Sequence, residues 1–374
     1  MKLRILLLGE YSNVHHTLAL GLRALGHSVT VVSDGDGWKD YPRDVDVRRD
    51  SYSRWSSLKY WWKISRLVRT FSGYDVIQLI NPVFFPLKAE RLWNPYRRLR
   101  ENNRSVFLGA FGMDHYYLKA GLDQKTFRYS DFNLGDQLRD SEEIGIWKHD
   151  WGEGAKGRLN RYVASTCDGI IAGLYEYYAA YRQEFGSKLT FIPFPICVGS
   201  EETFRPRGTG DKVRFFIGIQ RLRSAYKGTD IMLRALERVV ARFPQQCEMV
   251  RVESVPFEQY CQLMESSDVL LDQLYSYTPG MNALEAMARG LVVVGGGEEE
   301  NYDILHEEHL RPIINVLPTE EDVYLKLCDL VEHRDRIPQL SRDSRRYIQK
   351  HHDHVAVAQR YVDYWTACHP SQPA

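Results

Sequence analysis

The sequence predicts an α/β protein with two doubly wound, Rossmann-like domains that face a cleft. Short apolar, β-branched runs alternate with amphipathic stretches along the whole chain, which is typical of βα units and parallel sheets. The alternation stops near residue 200 and then restarts. With 374 residues, of which 44% are hydrophobic, the chain is long enough to bury two cores.

The first half is predicted to form one parallel sheet with its covering helices. The strands are expected at residues 3–8, 29–33, 76–80, 105–108, 169–172 and 189–192. The helices are expected at residues 14–25, 56–70, 87–101, 158–166 and 175–185. Residues 112–154 are rich in Asp, Gly and Tyr and fit no single element. A polar insertion of this length is often a functional loop.

A segment rich in proline and glycine, residues 193–211, reads as an interdomain linker. After it, strands are expected at residues 213–217, 248–252, 269–273, 291–294 and 313–316. Helices are expected at residues 229–243, 257–266, 281–289, 320–332, 339–350 and 354–365. The predicted domains are therefore residues 1–200 and 201–350. Residues 351–374 should form a helix and tail that pack back towards the first domain.

Composition narrows the class of protein. Basic and acidic residues both number 49, so the overall charge does not favour nucleic-acid binding. The six cysteines are scattered, without a CxxC pair or a Cys/His cluster at metal-ligand spacing. The opening apolar run is too short for a signal sequence, and no run is long enough to cross a bilayer. We therefore expect a cytoplasmic protein with no metal centre.

The loop after the strand at 213–217 is the first candidate for phosphate binding. Gly218 would let the backbone approach a ligand closely, and Arg221, Arg223 and Lys227 follow within ten residues. Clustered guanidinium and ammonium groups neutralise phosphate well. A solvated basic loop would have the same composition, and the loop alone does not separate the two interpretations.

The second candidate is the segment from residue 270 to residue 297. A turn ends at Gly280, and a helix begins at Met281 or Asn282. The free amides of its first turn and the helix dipole would favour an anion there. Glu285 lies about one turn inside, where it could accept hydrogen bonds from a ribose diol. It could also be an ordinary glutamate with a charged partner, because this helix is apolar nearly all round.

These segments resemble the C-terminal domain of retaining GT-B glycosyltransferases, which include bacterial polysaccharide and lipid-linked sugar transferases. That family has a Gly-Arg pair and a later Lys-Gly after the first strand. It also has two glutamates eight apart in E-G-x-G-x-x-x-x-E, followed by A-M-A-x-G and a strand. Lys227-Gly228, Gly280 and the run from Glu285 to Val293 match these motifs. Residues 21–33 and 189–198 also resemble family segments, so the resemblance covers most of the chain.

Two positions depart from the family pattern. Tyr277 stands where the family has its first glutamate, and Ile219 stands where it has an arginine. Arg221 or Arg223 would then have to supply the missing positive charge. Tyr277 could still hydrogen-bond the donor sugar.

The resemblance implies a hexosyltransferase that moves a sugar from a nucleoside diphosphate to a hydroxyl with retention and without a bound metal or other cofactor. The acceptor would be a saccharide or a lipid-linked molecule in cell-surface polysaccharide synthesis. Arg221, Arg223, Lys227 and the amides near Met281 and Asn282 would stabilise the leaving diphosphate. Glu285 would bind ribose.

The acceptor side is expected on the first domain. Asn13 and His15 follow the first strand, and Asp114 and His115 follow the strand at 105–108, where family members often carry a His or Asp. Capping or surface roles explain Asn13 and His15 equally well.

Residues 54–69 contain five basic residues, interleaved with tryptophan and tyrosine, and no acidic residue. On a helix, they would form a basic stripe bordered by aromatic rings, which suits anionic lipid headgroups at the inner face of the cytoplasmic membrane. A sheet-covering helix with a solvated basic face is the alternative.

Two other functions stay open. A nucleotide-sugar epimerase of the same fold would also bind the diphosphate, and the missing first glutamate would suit a non-catalytic binding protein. A dinucleotide-dependent dehydrogenase is disfavoured, because no GxGxxG follows the first strand.

Overall fold

The computed structural model describes residues 2–219, 227–253 and 257–368. The chain folds into two compact units. Unit 1 comprises Met1–Thr126, Glu142–Pro195 and His354–Ala374, and unit 2 comprises Phe127–Ser141 and Ile196–Asp353. The chain therefore passes between the units four times, because residues 127–141 and residues 196–353 are each preceded and followed by a segment of unit 1.

Fourteen strands lie within the described residues. They are β1 (Arg4–Leu8), β2 (Ser28–Ser33), β3 (Val45–Asp46), β4 (Val76–Leu79), β5 (Val106–Ala110), β6 (Asn133–Leu134), β7 (Gln137–Leu138), β8 (Gly169–Ala172), β9 (Leu189–Phe191), β10 (Val213–Ile219), β11 (Cys247–Glu253), β12 (Val269–Leu271), β13 (Val292–Gly295) and β14 (Ile314–Asn315).

Fourteen α-helices lie within the same ranges. They are α1 (Val14–Ala24), α2 (Arg54–Val68), α3 (Trp93–Asn102), α4 (His115–Leu122), α5 (Glu142–Trp147), α6 (Ala155–Thr166), α7 (Tyr175–Phe185), α8 (Thr229–Arg242), α9 (Phe257–Glu265), α10 (Met281–Ala288), α11 (Glu299–Leu305), α12 (Glu320–Glu332), α13 (Ile337–His351) and α14 (His354–Cys368).

Unit 1 contains a seven-stranded parallel sheet in the order β3-β2-β1-β4-β5-β8-β9. Every residue of β4, β5 and β8 is buried, as expected of parallel strands covered on both faces. The last helix, α14, packs against α1. Its Trp365 is 2% exposed and stacks at a tilt on Phe107 of β5.

Unit 2 contains a five-stranded parallel sheet in the order β11-β10-β12-β13-β14. Its hydrophobic core is separate from that of unit 1 and is centred on residues such as Phe215, Leu236 and Val292, all fully buried. The predicted two-domain α/β class and all eleven predicted strands are confirmed. The predicted helices are also present, although residues 87–101 form a 3-10 turn at Ala89–Arg91 before α3 rather than one helix.

Residues 112–154, predicted as one irregular insertion, contain several elements. They form α4, the hairpin β6–β7, α5 and a π-helical turn at Lys148–Glu153. The hairpin turns at Gly135 and Asp136, where Gly135 has φ +57° and so takes the left-handed conformation that a two-residue turn requires. The hairpin belongs to unit 2, whereas its neighbours in sequence belong to unit 1.

Candidate functional site

The strand order of the unit 2 sheet reverses at β10, which pairs with β11 on one side and β12 on the other. Ligands of open parallel sheets bind outside the carboxyl ends of the strands at such a point. The loops that follow β10 and β12 contain the residues predicted to bind the donor. Arg221 and Arg223 lie outside the described residues.

Gly218, near the end of β10, makes room for a tyrosine. A Cβ atom on Gly218 would lie 2.8 Å from the hydroxyl oxygen of Tyr260. This hydroxyl donates a 2.9 Å hydrogen bond to Oδ1 of Asn282. The absence of a side chain at Gly218 therefore leaves space for the Tyr260 hydroxyl, which binds Asn282 in the first turn of α10.

Lys227 is half-buried just before α8. Its carbonyl accepts a 2.9 Å hydrogen bond from the amide of Leu274, which ties the loop after β10 to the loop after β12. Burial raises the pKa of the Asp272 carboxyl, and the positive charge of Lys227 opposes that rise. Lys227 thus brings positive charge to the carboxyl end of β12.

The start of α10 is organised by Asp272. The Asp272 side chain is hydrogen-bonded to Asn282 and accepts the amide of Gly280 at 3.4 Å. Gly280 has φ −74° and ψ 173° and has no side chain with which to cap the helix. Met281 and Asn282 are half-buried. Asp272 therefore accepts the amide of Gly280, which comes just before the helix. The amides of the first turn of α10, which begins at Met281, come next in the chain.

Glu285 lies one turn into α10 on its half-buried side. It forms an ion pair with Arg289, one turn further along, and Arg289 also contacts Glu265 at 3.3 Å. The Glu285 side chain keeps 35% of its surface exposed. Arg289 is therefore the charged partner expected of a glutamate on an apolar helix, and the exposed part of the Glu285 side chain is open to solvent.

Tyr277 is 2% exposed and packs against residues 127–129 of the hairpin segment. Its hydroxyl oxygen accepts a 2.6 Å hydrogen bond from the amide of Arg128. Its ring stacks on Tyr129 with centroids 5.0 Å apart and an interplanar angle of 29°. These contacts assign Tyr277 to anchoring this segment.

In unit 1, the residues predicted after β1 surround the start of α1. Glu10 is 3% exposed and accepts the amides of His15 at 3.2 Å and His16 at 2.9 Å. Burial raises the pKa of Glu10 to about 8. Asn13 has φ +71°, and its Oδ1 is buried with no hydrogen-bond partner among the described residues.

His15 is fully buried. Its Nδ1 is 2.8 Å from the carbonyl of Gly9 and therefore donates to it. Burial lowers the pKa of His15 to about 3, so the ring is neutral near pH 7. Its Nε2 is then an acceptor, and it has no partner within the described ranges.

Asp114 is fully buried and caps α4. Its carboxylate accepts the amide of Tyr117 at 2.9 Å and the hydroxyl of Tyr181 at 2.7 Å. Burial raises its pKa to about 6. The half-buried ring of His115 binds the carbonyl of Trp151 through Nδ1 at 2.8 Å, and burial lowers its pKa. Both side chains are engaged inside unit 1.

Two buried carboxyl groups at strand ends, those of Glu10 and Asp272, are not among the predicted site residues. Glu10 comes one residue after the apolar strand β1, from which Gly9 separates it, and Asp272 comes directly after the last residue of β12, Leu271. A carboxylate at the end of a buried strand, in the segment that leads to the next helix, is the signal that would have identified both.

The basic segment of residues 54–69 forms α2, which presents an exposed aromatic face. Trp55, Leu58 and Trp62, at spacings of three and four residues, are 77%, 41% and 56% exposed. The basic side chains along the same helix and at its end are also exposed, namely Arg54, Lys59, Lys63, Arg66 and Arg69. The buried face consists of Tyr60, Ile64 and Val68.

The described residues contain neither a membrane-spanning helix nor a metal-binding cluster. None of the helices they form has the length and hydrophobicity needed to cross a membrane. They also contain no group of three or more His, Cys, Asp or Glu side chains arranged to hold a metal ion.

Comparison with solved structures shows the same fold in known glycosyltransferases. A glycosyltransferase from Rickettsia africae matches with a TM-score of 0.56 at 12% identity, covering 99% of this chain and 100% of that one. HepE from Anabaena, in complex with UDP and glucose, matches with a TM-score of 0.60 at 13% identity, covering 98% and 100%. The chain thus has the two-domain GT-B fold over its full length.

The same fold also occurs in a putative UDP-N-acetylglucosamine 2-epimerase from Listeria monocytogenes, with a TM-score of 0.55 at 10% identity, covering 100% of this chain and 98% of that one. The sequence matches no protein-family model and no curated protein. At these identities, the likeness establishes the fold.

Proposed function

We propose that the protein is a retaining glycosyltransferase that transfers a hexose from a nucleoside diphosphate to a hydroxyl group. The observation that carries this proposal is the arrangement at the carboxyl ends of β10 and β12. There, Lys227, the start of α10 and Glu285 lie on one edge of the sheet. A helix start with a nearby ammonium group suits a diphosphate, and a partly exposed carboxylate one turn inside suits a ribose diol.

The chemistry requires stabilisation of a leaving diphosphate. The bond between the anomeric carbon and the phosphate oxygen breaks, and the acceptor oxygen bonds to the same face of the sugar. The acceptor proton passes to the leaving phosphate, so the step balances without a separate base. Lys227 and the amides of Met281 and Asn282 stabilise the charge that develops on the phosphate. Arg221 and Arg223 are proposed to add to it on sequence grounds alone.

Tyr277 and Asp114 are left out of the proposed substrate contacts, because their polar atoms are engaged inside their own units. On the acceptor side, Asn13 and His15 are the stronger candidates. Each has a buried acceptor atom with no partner among the described residues, and such an atom is costly unless a water or a ligand satisfies it.

A thermal-shift panel of UDP-, GDP-, ADP- and dTDP-sugars tests donor binding. A true donor should raise the melting temperature by mass action. Lys227→Ala and Glu285→Ala should abolish the shift, whereas Lys212→Ala and Glu321→Ala, at a half-buried and an exposed residue of unit 2 outside these loops, should retain it. A wild-type protein that responds to none of the four nucleotides would overturn the proposal.

An epimerase is the second candidate, because the Listeria protein has the same fold. Product analysis separates the two. A transferase releases nucleoside diphosphate only when an acceptor is present, whereas an epimerase converts the sugar nucleotide without an acceptor. A protein that binds a sugar nucleotide but turns over none would instead be a non-catalytic homologue.

We also propose that α2 binds anionic membrane and that the acceptor is lipid-linked. Exposed tryptophan and leucine side chains beside exposed basic groups suit the headgroup region of a bilayer. The protein should sediment at low salt with vesicles rich in phosphatidylglycerol and not with phosphatidylcholine alone. Trp55→Ser with Trp62→Ser should abolish binding. Trp38→Ser, at a tryptophan that is 66% exposed outside α2, should not, and equal loss in both would refute an α2 site.

A further inference from the structure

Residues 127–141, here called the arm, are a well-built part of unit 2. Phe132 and Asn133 are fully buried. The Asn133 side chain donates to the carbonyls of Phe127 and Gly135, both at 2.9 Å. These bonds close the segment on itself around the hairpin β6–β7. The arm is therefore a defined element of unit 2.

The arm contacts the loop after β12 through aromatic and cationic side chains. Tyr277 of that loop contacts three consecutive arm residues, Phe127, Arg128 and Tyr129. Tyr275 lies two residues before Tyr277 in the same loop. The guanidinium carbon of Arg139, in the arm, lies 3.5 Å from the centre of the Tyr275 ring. The arm thus covers the loop that leads to Gly280 and α10.

The arm also binds the loop after β13. Arg128 forms an ion pair with Glu298 at 2.9 Å and with Glu300, and the hydroxyl of Tyr129 donates to Glu298 at 2.5 Å. Asn315, at the end of β14, donates to the same Glu298 carboxylate at 2.9 Å. Glu298 therefore links the arm to the loops at two neighbouring strand ends.

The two loops are connected to each other as well. The amide of Glu298 donates to the carbonyl of Tyr277 at 3.1 Å. A Cβ atom on Gly296 would lie 2.4 Å from the carbonyl oxygen of Ser276, so the backbones touch. Because the arm contacts both loops and the loops contact each other, a displacement of the arm should displace Tyr277 and the residues that lead to α10.

We infer that the arm is part of the donor site, with Arg128 and Tyr129 as positioning residues that hold Tyr277 and Glu298 so that the first turn of α10 faces the diphosphate. The inference rests on the proposed function. It also accounts for the departure at residue 277, because a tyrosine there provides an acceptor oxygen together with the aromatic ring that packs on the arm, and a glutamate has no ring.

The test measures the dissociation constant of UDP-glucose by calorimetry, or of ADP-glucose, GDP-mannose or dTDP-glucose if the wild type binds that sugar nucleotide instead. Arg128→Ala should weaken binding about tenfold, because a loop displaced by a fraction of an ångström misplaces the amides. Arg128→Lys should restore part of the affinity, since it keeps one ion pair. Tyr129→Phe, which removes only the hydroxyl, should have a smaller effect in the same direction.

Arg238 offers a matched control. Like Arg128, it is an exposed arginine of unit 2 that pairs with two glutamates, Glu320 and Glu321, and lies over a tyrosine ring. It lies on α8 and contacts α12, away from the loops after β12 and β13. Arg238→Ala should leave donor affinity unchanged, although it removes the same kind of surface network.

Each outcome decides one claim. A wild type that binds no sugar nucleotide overturns the proposed function, and this inference falls with it. A wild type that binds, with Arg128→Ala binding equally well, overturns the inference alone. Tighter binding by Arg128→Ala would mean that the arm obstructs the site, which also overturns the inference. Loss in both Arg128→Ala and Arg238→Ala would indicate general destabilisation and contradict a positioning role.

Discussion

The starts of α1 and α10 look alike in sequence, but a buried carboxyl group binds amides inside the first turn of α1 and only the amide before the first turn of α10. Each helix follows a buried strand, and each has a buried carboxylate between strand and helix, Glu10 in unit 1 and Asp272 in unit 2. Glu10 binds two amides inside the first turn of its helix. Asp272 binds the amide of Gly280, just before its helix.

The difference shows why a helix start alone does not define an anion site. In α1, the oxygens of the protein's own Glu10 carboxyl group already occupy the position that a phosphate would take. In α10, the carboxylate fixes the approach to the helix, and Lys227 supplies a compensating positive charge. This comparison favours unit 2 as the donor-binding unit.

The largest effect should come from the ionisation of Glu10. The unfolded chain loses this proton near the ordinary pKa of 4.5, whereas the folded protein keeps it up to about pH 8. Because the folded state binds more protons in this window, stability falls as pH rises through it, by about 5 kcal/mol. Glu10→Gln should remove this slope. Urea unfolding of both proteins from pH 4 to pH 9 measures it, and a difference in unfolding free energy that stays constant with pH would contradict the prediction.

The next effect is expected for Gly9→Ala. Gly9 has φ +84°, and a Cβ atom there would lie 2.3 Å from Cγ2 of Ile80. We expect a loss of about 3 kcal/mol of unfolding free energy, from strain and overlap together. Gly26→Ala is the control, because Gly26 has φ +87° with no atom within 4 Å of the added methyl group. If both variants lose the same stability in urea unfolding, the close contact with Ile80 is not costly.

A smaller loss is expected for Asp272→Ala. The change leaves the half-buried amide of Gly280 and the side chain of Asn282 without the Asp272 acceptor. We expect about 2 kcal/mol of lost stability in chemical unfolding. Asp272→Asn keeps an acceptor oxygen and should recover most of this loss. Equal losses in the two variants would show that the charge, rather than the hydrogen bonds, holds the start of α10.

The smallest effect on stability is expected for Gly280→Ala. A Cβ atom there would be 3.6 Å from Oδ2 of Asp272 and 3.7 Å from Nε2 of Gln273, which are ordinary contacts. The unfolding free energy should therefore change by less than about 0.5 kcal/mol. Donor affinity should nevertheless fall about tenfold, because the added methyl group occupies the space where a diphosphate approaches the backbone. Unchanged affinity for a sugar nucleotide that the wild type binds would mean that the diphosphate does not lie at the start of α10.

The sequence by itself determined the two-domain α/β architecture. Strands such as β5 and β13 are buried on both faces and therefore read as continuous apolar runs. Long amphipathic helices such as α8 have a strong hydrophobic periodicity. The donor-site candidates were found for a similar reason, because Gly280 and Glu285 belong to one short, contiguous motif. Short elements such as α4 and α11 were missed, since they contain too few residues for a periodic signal.

The tertiary structure alone decided which side chains are engaged and which unit each segment joins. Tyr277 and Arg128 are 149 residues apart in sequence, yet they form the bond that docks the arm. Glu298 gave no local signal, because its role comes from Arg128, Tyr129 and Asn315, which lie far from it in the chain. A local pattern records the burial of a single element, whereas contacts between distant segments depend on how the elements pack, and that arrangement appears only in the folded protein.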